Sequence, residues 1–279
     1  MFLNFTPRQN FGKALFPPHP FGGIPLNEAL EFINVAGITN ATQQLAIINL
    51  VGDLKAYGLW NKLKAIYPFV GGTANTHKFN LKDPRDVDGA FRLSFIGGWT
   101  HDSNGALPNG TNGYGNTFLN PFNTLPYNNT HLSYYTSTSA VLFNQREFSI
   151  YVGGGTPVFA IGTNSNLMIS DQYDSSGQRI STTMTDGRGL ICASRTAGNV
   201  HKAYQNGVQL GATNTGTSTQ TLPNANLFLG AGNFTGAGIG QYSTKRYLFS
   251  SVGDGLTDAD AANLYTAVQA YQTTLGRQV

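Results

Sequence analysis

Three glutamates stand in the 279-residue chain: Glu28, Glu31 and Glu147. Glycoside hydrolysis asks for two carboxyl groups held about 5–9.5 Å apart across the scissile bond. Glu28 and Glu31 fall in a helical pattern near the N-terminus, and Glu147 stands alone at the start of a strand pattern. Asp83, Asp86 and Asp88 form the nearest acidic cluster, in a loop opened by Pro84. Asp86 and Asp88 alternate and so share a face, yet a catalytic pair also needs an acid tuned by burial; a solvated loop explains them better. Asp171 and Asp174, with Asn164 and Asn166, offer hard oxygen ligands of the kind calcium takes, without EF-hand spacing. His19, His77, His101, His131 and His201 contain no close pair of the sort zinc sites use. Cys192 is the sole cysteine, so no internal disulfide forms, and its apolar strand makes it a buried, inert thiol. Phosphate loops, dinucleotide fingerprints and nucleophile elbows are absent from the sequence.

Sugar recognition is harder to dismiss than these, although core packing of Trp99 is the favoured reading of the residues concerned. Trp99, His101, Asn104, Asn109, Asn112 and Tyr114 fall in one Gly/Asn-rich stretch. Aromatic rings that stack on sugar faces and amides that bond their hydroxyls are the chemistry required. The competing reading has Trp99 packing in the core while the loop merely turns.

Only 11% of residues are charged, and glycine numbers 34. Low charge with many small polar residues suits an all-β protein rich in turns. It also suits a surface that packs against copies or partners. The net charge of +3 is too small and scattered to indicate nucleic acid. Lys62, Lys64, Lys78, Lys82 and Arg85 read as a solvated basic face. No run reaches the ~18 apolar residues of a membrane span. The N-terminal Met1-Phe-Leu-Asn-Phe-Thr-Pro-Arg lacks the basic and apolar regions of a secretory signal, which implies synthesis in the cytosol.

The elements that must position these residues follow from periodicity. Residues 1–26 alternate Phe2, Phe5, Phe11, Phe16 and Phe21 with prolines, which favour extended backbone. They form either a strap over the chain's own core or an anchoring arm that docks on a neighbour. Residues 27–75 read as helical: Asn27 caps a helix to Ala36, Asn40 caps one to Tyr57, and Leu59, Trp60, Leu63 and Ile66 form a third turn ended by Pro68. From about Thr76 the period becomes two. Strands are expected at 77–81, 90–96, 131–135, 147–152, 158–161, 167–172, 178–184, 189–195, 200–205, 208–211, 226–232 and 245–253. Asn206-Gly207 marks a type I′ hairpin. Thr257-Asp-Ala-Asp260 is a capping box for a closing helix whose Ala261, Leu264, Tyr265, Val268, Tyr271 and Leu275 share a face.

The order from Val200-His-Lys-Ala-Tyr-Gln-Asn-Gly-Val-Gln-Leu through Leu227-Phe-Leu-Gly and Tyr247-Leu-Phe-Ser-Ser-Val to Leu256-Thr-Asp-Ala-Asp resembles the laminin G-like, or concanavalin A-like, superfamily. That resemblance implies a mainly β antiparallel sandwich, a jelly roll, over residues 76–279, with the short N-terminal helical segment before it and the closing C-terminal helix after it. Tyr67-Pro-Phe-Val-Gly-Gly-Thr-Ala, His77-Lys-Phe-Asn-Leu-Lys-Asp-Pro-Arg, Gly98-Trp-Thr-His and Pro108-Asn-Gly-Thr-Asn-Gly-Tyr look like stretches of tailed-bacteriophage virion proteins. The likeness covers roughly residues 27–275. It implies a non-enzymatic virion structural protein, a capsid decoration or a head or tail fibre. Such a protein would be made in the host cytoplasm, anchored by the N-terminal arm to other virion proteins, and a homo-oligomer. The second reading is an adhesin recognising host-surface glycans; a glycan hydrolase is disfavoured by the scarcity of glutamate. Neither nucleic acid nor a membrane is expected as a partner, and no cofactor beyond the calcium considered above.

Overall fold

The computed structural model describes residues 27–153, 158–174, 178–218 and 221–279. The expected arm, with Phe2, Phe5, Phe11, Phe16 and Phe21, lies outside the described residues. Helices α1 (Asn27–Val35) and α2 (Ala41–Ala56) lead into β1 (Leu63–Tyr67) and a short α3 (Ala74–His77). Then come β2 (Ser94–Ile96), β3 (Trp99–Asp102), β4 (Gly105–Pro108), β5 (Tyr114–Asn116) and α4 (Pro121–Thr124). The longer strands are β6 (Thr130–Thr136), β7 (Gln145–Tyr151), β8 (Val158–Thr163), β9 (Leu167–Gln172), β10 (Ile180–Thr183), β11 (Gly189–Ala197), β12 (Val200–Gln205) and β13 (Val208–Asn214). After β14 (Phe228–Leu229), β15 (Gly232–Phe234), β16 (Gly238–Gly240) and β17 (Tyr247–Gly253), α5 (Asp258–Thr274) closes the order.

The strands make two sheets. The first runs β13-β12-β11-β6-β17-β4-β3, with β1 on the same edge of β17 as β4; the second runs β10-β9-β8-β7-β14-β5-β2, with β15 and β16 appended. All pairings are antiparallel except the single β15–β7 contact. Strand β6 shows why the sheets stack. Its side chains alternate, sending Leu132 and Tyr134 into the core between the sheets and Tyr135 to the opposite face. Phe148, Ile150, Phe159, Ile161 and Met168 answer from the second sheet. Tyr135, Leu190, Cys192, Tyr204, Leu248 and Phe249 face outward, and α1, α2 and α5 cover them in a second apolar core. The result is a β-sandwich with helices sealing one outer face. Burying each such aromatic or aliphatic side chain contributes roughly 1.5–3 kcal/mol.

Local signals hold where they were strongest. Asn206 and Gly207 take φ of 51° and 78°, the positive values a type I′ turn requires. Thr257 Oγ1 accepts from the Asp260 amide while the Asp260 carboxylate reaches back to the Thr257 amide, completing the capping box. Asn40 caps α2 by accepting from the Gln43 amide.

Three expectations are corrected. The turn expected to be helical around Leu63 and Ile66 is β1, drawn into the sheet by pairing Ile66 with Ser251 and Tyr67 with Ser250. No strand forms at 77–81. Thr73 caps α3 there, and the side chain of Asn80 ties the following loop to the Ile66 and Lys82 amides and the Ala90 carbonyl. Of the expected 90–96 strand only Ser94–Ile96 pairs, because a 3-10 turn at Asp88–Ala90 and Phe91 at φ 58° interrupt it.

Candidate functional site

The six residues singled out for sugar binding separate into different jobs. Trp99 is half-buried on β3, with Phe95, His101 and Tyr247 around its ring. Its indole N–H donates to the carbonyls of Ile96 and Tyr114 at 3.2 and 3.3 Å. Asn109 Oδ1 accepts from the amides of Thr111, Asn112 and Gly113 at 3.0–3.1 Å. Asn109 Nδ2 donates to Asn112 Oδ1 at 2.8 Å, and that oxygen also takes the Gly98 amide. These amides are spent on their own turn. Asn104 is exposed at the opposite end of the β3–β4 hairpin, where its amide donates to Asp102 Oδ1 at 2.7 Å. Tyr114 projects from the second sheet's outer face and stacks on Phe228 at 4.8 Å.

His101 meets His77, with their Nδ1 atoms 3.0 Å apart. The Gly72 amide donates to His77 Nε2 at 3.2 Å, so the proton of His77 sits on Nδ1 and His101 Nδ1 accepts it. Both rings are therefore neutral. Burial pushes His77 down to about 3 and lowers His101 as well.

A constellation that sequence reasoning missed lies between the sheets. Ser170 Oγ is 3.1 Å from His201 Nε2, and His201 Nδ1 is 3.1 Å from an Asp174 carboxylate oxygen. Those are the contacts of a Ser-His-Asp triad. Yet Ser170 donates its hydroxyl proton to the Ala160 carbonyl, and Ser170 and His201 are 1% and 0% exposed. Asp174 also pairs with the guanidinium of Arg195, which is itself fully buried and donates to the Gln172 and Gly198 carbonyls at 2.7 Å. Among the described residues the network is closed off from solvent, and it ties β9, β11 and β12 together across the core. Glu147 is likewise enclosed, accepting from the hydroxyls of Ser243 and Tyr247.

The oxygen ligands considered for calcium do not converge. Asp174 is committed to Arg195 and His201, whereas Arg179 takes both oxygens of Asp171. Among the described residues no three His, Cys, Asp or Glu side chains group as a metal site. Among them, too, no helix is long and apolar enough to cross a membrane.

The basic stretch is mostly neutralised. Lys62 pairs with Asp260, Lys64 with Asp254, Lys78 with Asp86 and Arg85 with Asp83. Lys82 differs. Its ammonium donates to the Trp60 carbonyl at 2.6 Å and lies 3.8 Å from the Trp60 ring centroid, a cation–π contact. Burial lowers it to about 8. It lines a surface cleft of about 330 Å³ together with Asn61, Lys64, Asn80, Asp83 and Phe91. β1 supplies one wall through its pairing with β17, and the segment 80–91 supplies the other. That volume is at the lower end of the range for small-molecule sites, about 300–1,000 Å³. The walls carry an ammonium, the exposed Asn61 amide, a carboxylate and one aromatic residue, while the Asn80 amide is spent on backbone groups. Asp83 stays ionised because Arg85 holds both its oxygens, at 2.7 and 2.5 Å. No motif in the sequence marks this cleft: its walls meet through the Asn80 side chain on the Ile66 amide and the Leu81 amide on the Ile66 carbonyl.

No family model matches the sequence. No curated protein sequence matches it either. Solved structures do align with the fold. Trypanosoma rangeli sialidase in complex with sialic acid aligns with a TM-score of 0.51 and 11% identity, over 78% of this chain and 38% of the sialidase. Domain 4 of AbnA, a GH43 extracellular arabinanase from Geobacillus stearothermophilus, solved with arabinotriose, aligns at 0.46 and 16%, over 73% of this chain and 98% of that domain. The receptor binding domain of botulinum neurotoxin D aligns at 0.46 and 10%, over 74% and 53%. At such identities the likeness is one of fold, and against the sialidase it spans well under half of the longer protein.

Proposed function

We propose that this chain is a glycan-binding β-sandwich module without a catalytic step of its own, and that its ligand sits in the cleft between β1 and the 80–91 segment. The carrying observation is the cleft: a concavity of about 330 Å³ whose lining brings the exposed Asn61 together with Lys82, Asp83 and Phe91. Sugars are bound by that mixture, with ring stacking for the apolar face and fixed polar groups for the hydroxyls. The lining includes one carboxylate, Asp83, where glycoside hydrolysis calls for two. The sialidase that shares the fold was solved with sialic acid, which agrees in kind, but the reading rests on the cleft because fold alone does not carry function.

A glycan array with the full chain tests it. Asn61→Ala and Phe91→Gly should each weaken binding about tenfold or more; glycine suits the positive φ of Phe91, so that change removes the ring without straining the backbone. Binding that survives both changes but is lost in Tyr114→Ala would move the site to the outer margin of the second sheet. No binding to any glycan would sink the reading.

The setting we propose is the surface of a bacteriophage particle, from the sequence likeness of residues 67–74, 77–85 and 98–114 to virion proteins. Phe2, Phe5, Phe11, Phe16 and Phe21 would fasten the module there. Deleting residues 1–26 should abolish incorporation into particles while the sandwich still folds; normal incorporation would remove the anchoring role.

A further inference from the structure

The cleft contains a cation with an unspent charge. Among its lysines, Lys64 is neutralised by Asp254 at 3.1 Å. Arg85 outside the lining is neutralised by Asp83. Lys82 has no carboxylate within ion-pairing distance among the described residues; a backbone carbonyl and an indole face hold it instead. A half-buried ammonium in that position has given up part of its hydration without gaining a direct ion pair; the charge it feels most, Glu28, is itself bonded to Lys55. An anionic group entering the cleft would complete it with a charge-assisted hydrogen bond. Asp83, the nearby acid, has its own charge balanced by the paired Arg85 guanidinium.

Resting on the glycan-binding reading, we infer that the cleft selects carboxylated sugars, uronates or sialates, with Lys82 as the residue that meets the carboxylate and Asn61 and Phe91 addressing the rest of the ring. Specificity then has a definite origin: the same sugar with its carboxyl reduced to an alcohol leaves Lys82 without its partner.

The charge state of Lys82 supports the assignment. Its folded value near 8 reflects burial first, opposed by Glu28 on α1 and reinforced by Lys55 on α2 and Lys64 on β1. Glu28 is itself bonded to Lys55 at 2.6 Å. The ammonium is therefore present at neutral pH and lost as pH rises through about 8. Preference for the acid sugar should fall over that window.

The experiment uses the full chain on an array of uronate- and sialate-bearing oligosaccharides, each beside its carboxyl-reduced form, at pH 7 and pH 9. Native protein should favour an acid form over its reduced partner by about tenfold to a hundredfold at pH 7, and by much less at pH 9. Lys82→Met keeps an unbranched side chain against Trp60 and should erase the preference, the acid form falling to the affinity of the reduced form. Equal binding of acid and reduced forms by native protein would overturn the acid-sugar inference and leave the glycan reading standing. A preference that persists in Lys82→Met, with a native melting curve, would overturn the role of Lys82. Absence of binding to either form, and to neutral glycans, would remove the glycan reading and this inference with it. Should Lys82→Met fail to fold, the pH series on native protein decides alone: a preference unchanged between pH 7 and 9 refutes the assignment.

Discussion

The Asp174 network between the sheets and the Lys82 cleft at the surface both gather charged and polar side chains, and they do opposite things with them. Asp174 has its partners within the chain, Arg195 and His201, and Arg195, His201 and Ser170 are buried. Around Lys82 the groups are fewer and the contacts looser, and one charge is left to be satisfied from outside. The first has the constellation of a hydrolase without access; the second has access without a triad. Unspent bonding capacity that solvent can reach marks a site better than the identity of the residues assembled there.

Asp174→Asn should show the largest effect. It strands the buried Arg195 guanidinium and should cost about 3–5 kcal/mol in urea denaturation, whereas Lys82→Met gives up a bond to the Trp60 carbonyl but also relieves a desolvated charge, and should cost no more than about 1.5 kcal/mol. Equal losses would erase the contrast between the two clusters.

Acid should come next. Burial holds His131 down to about 4 and His77 to about 3, both below the ordinary value near 6.5. Below pH 6.5 the unfolded chain takes up protons on these rings that the folded chain refuses. Stability is therefore full above that pH and falls progressively toward pH 4, by on the order of 3 kcal/mol from His131. Urea midpoints measured from pH 7.5 to 4 check this, and a flat profile would show that the folded state accommodates the charged rings. His131→Gln should flatten part of the slope.

Trp99→Phe removes the indole donor to two carbonyls but keeps an aromatic ring, and should cost about 1–2 kcal/mol with glycan binding unchanged. Lost binding in a well-folded variant would place recognition at β3 instead of the cleft. Smallest of all, Lys62→Met breaks a surface pair with Asp260 and should cost no more than about 1 kcal/mol, less in high salt.

Where chemistry was local, it could be read. Thr257 and Asp260 cap α5, Asn206-Gly207 turns β12 into β13, and alternation exposes β6 through β12, because each signal acts within a few residues. β1 was hidden because Leu-Lys-Ala-Ile-Tyr is apolar at positions that fit either period, and its strand character comes from β17, a partner far along the chain. The cleft was hidden for a different reason. The lysines of 62–82 look alike in sequence; pairing with Asp254, Asp260 and Asp86 silences some of them, and only folding decides that Lys82 is not among those. The triad-like contacts of Ser170, Asp174 and His201 have no motif, since β9 and β12 belong to different sheets.

β17 lies inside the first sheet, with β6 along one edge and β1 and β4 along the other. During synthesis, then, the early segments have no central strand to join. Lys64 emerges 190 residues before Asp254, an interval of about 10–40 s on a ribosome. For that time the greasy edge of residues 63–67 has to be kept from other chains, and the two halves of the first sheet become one only when the strand at 247–253 slides between them.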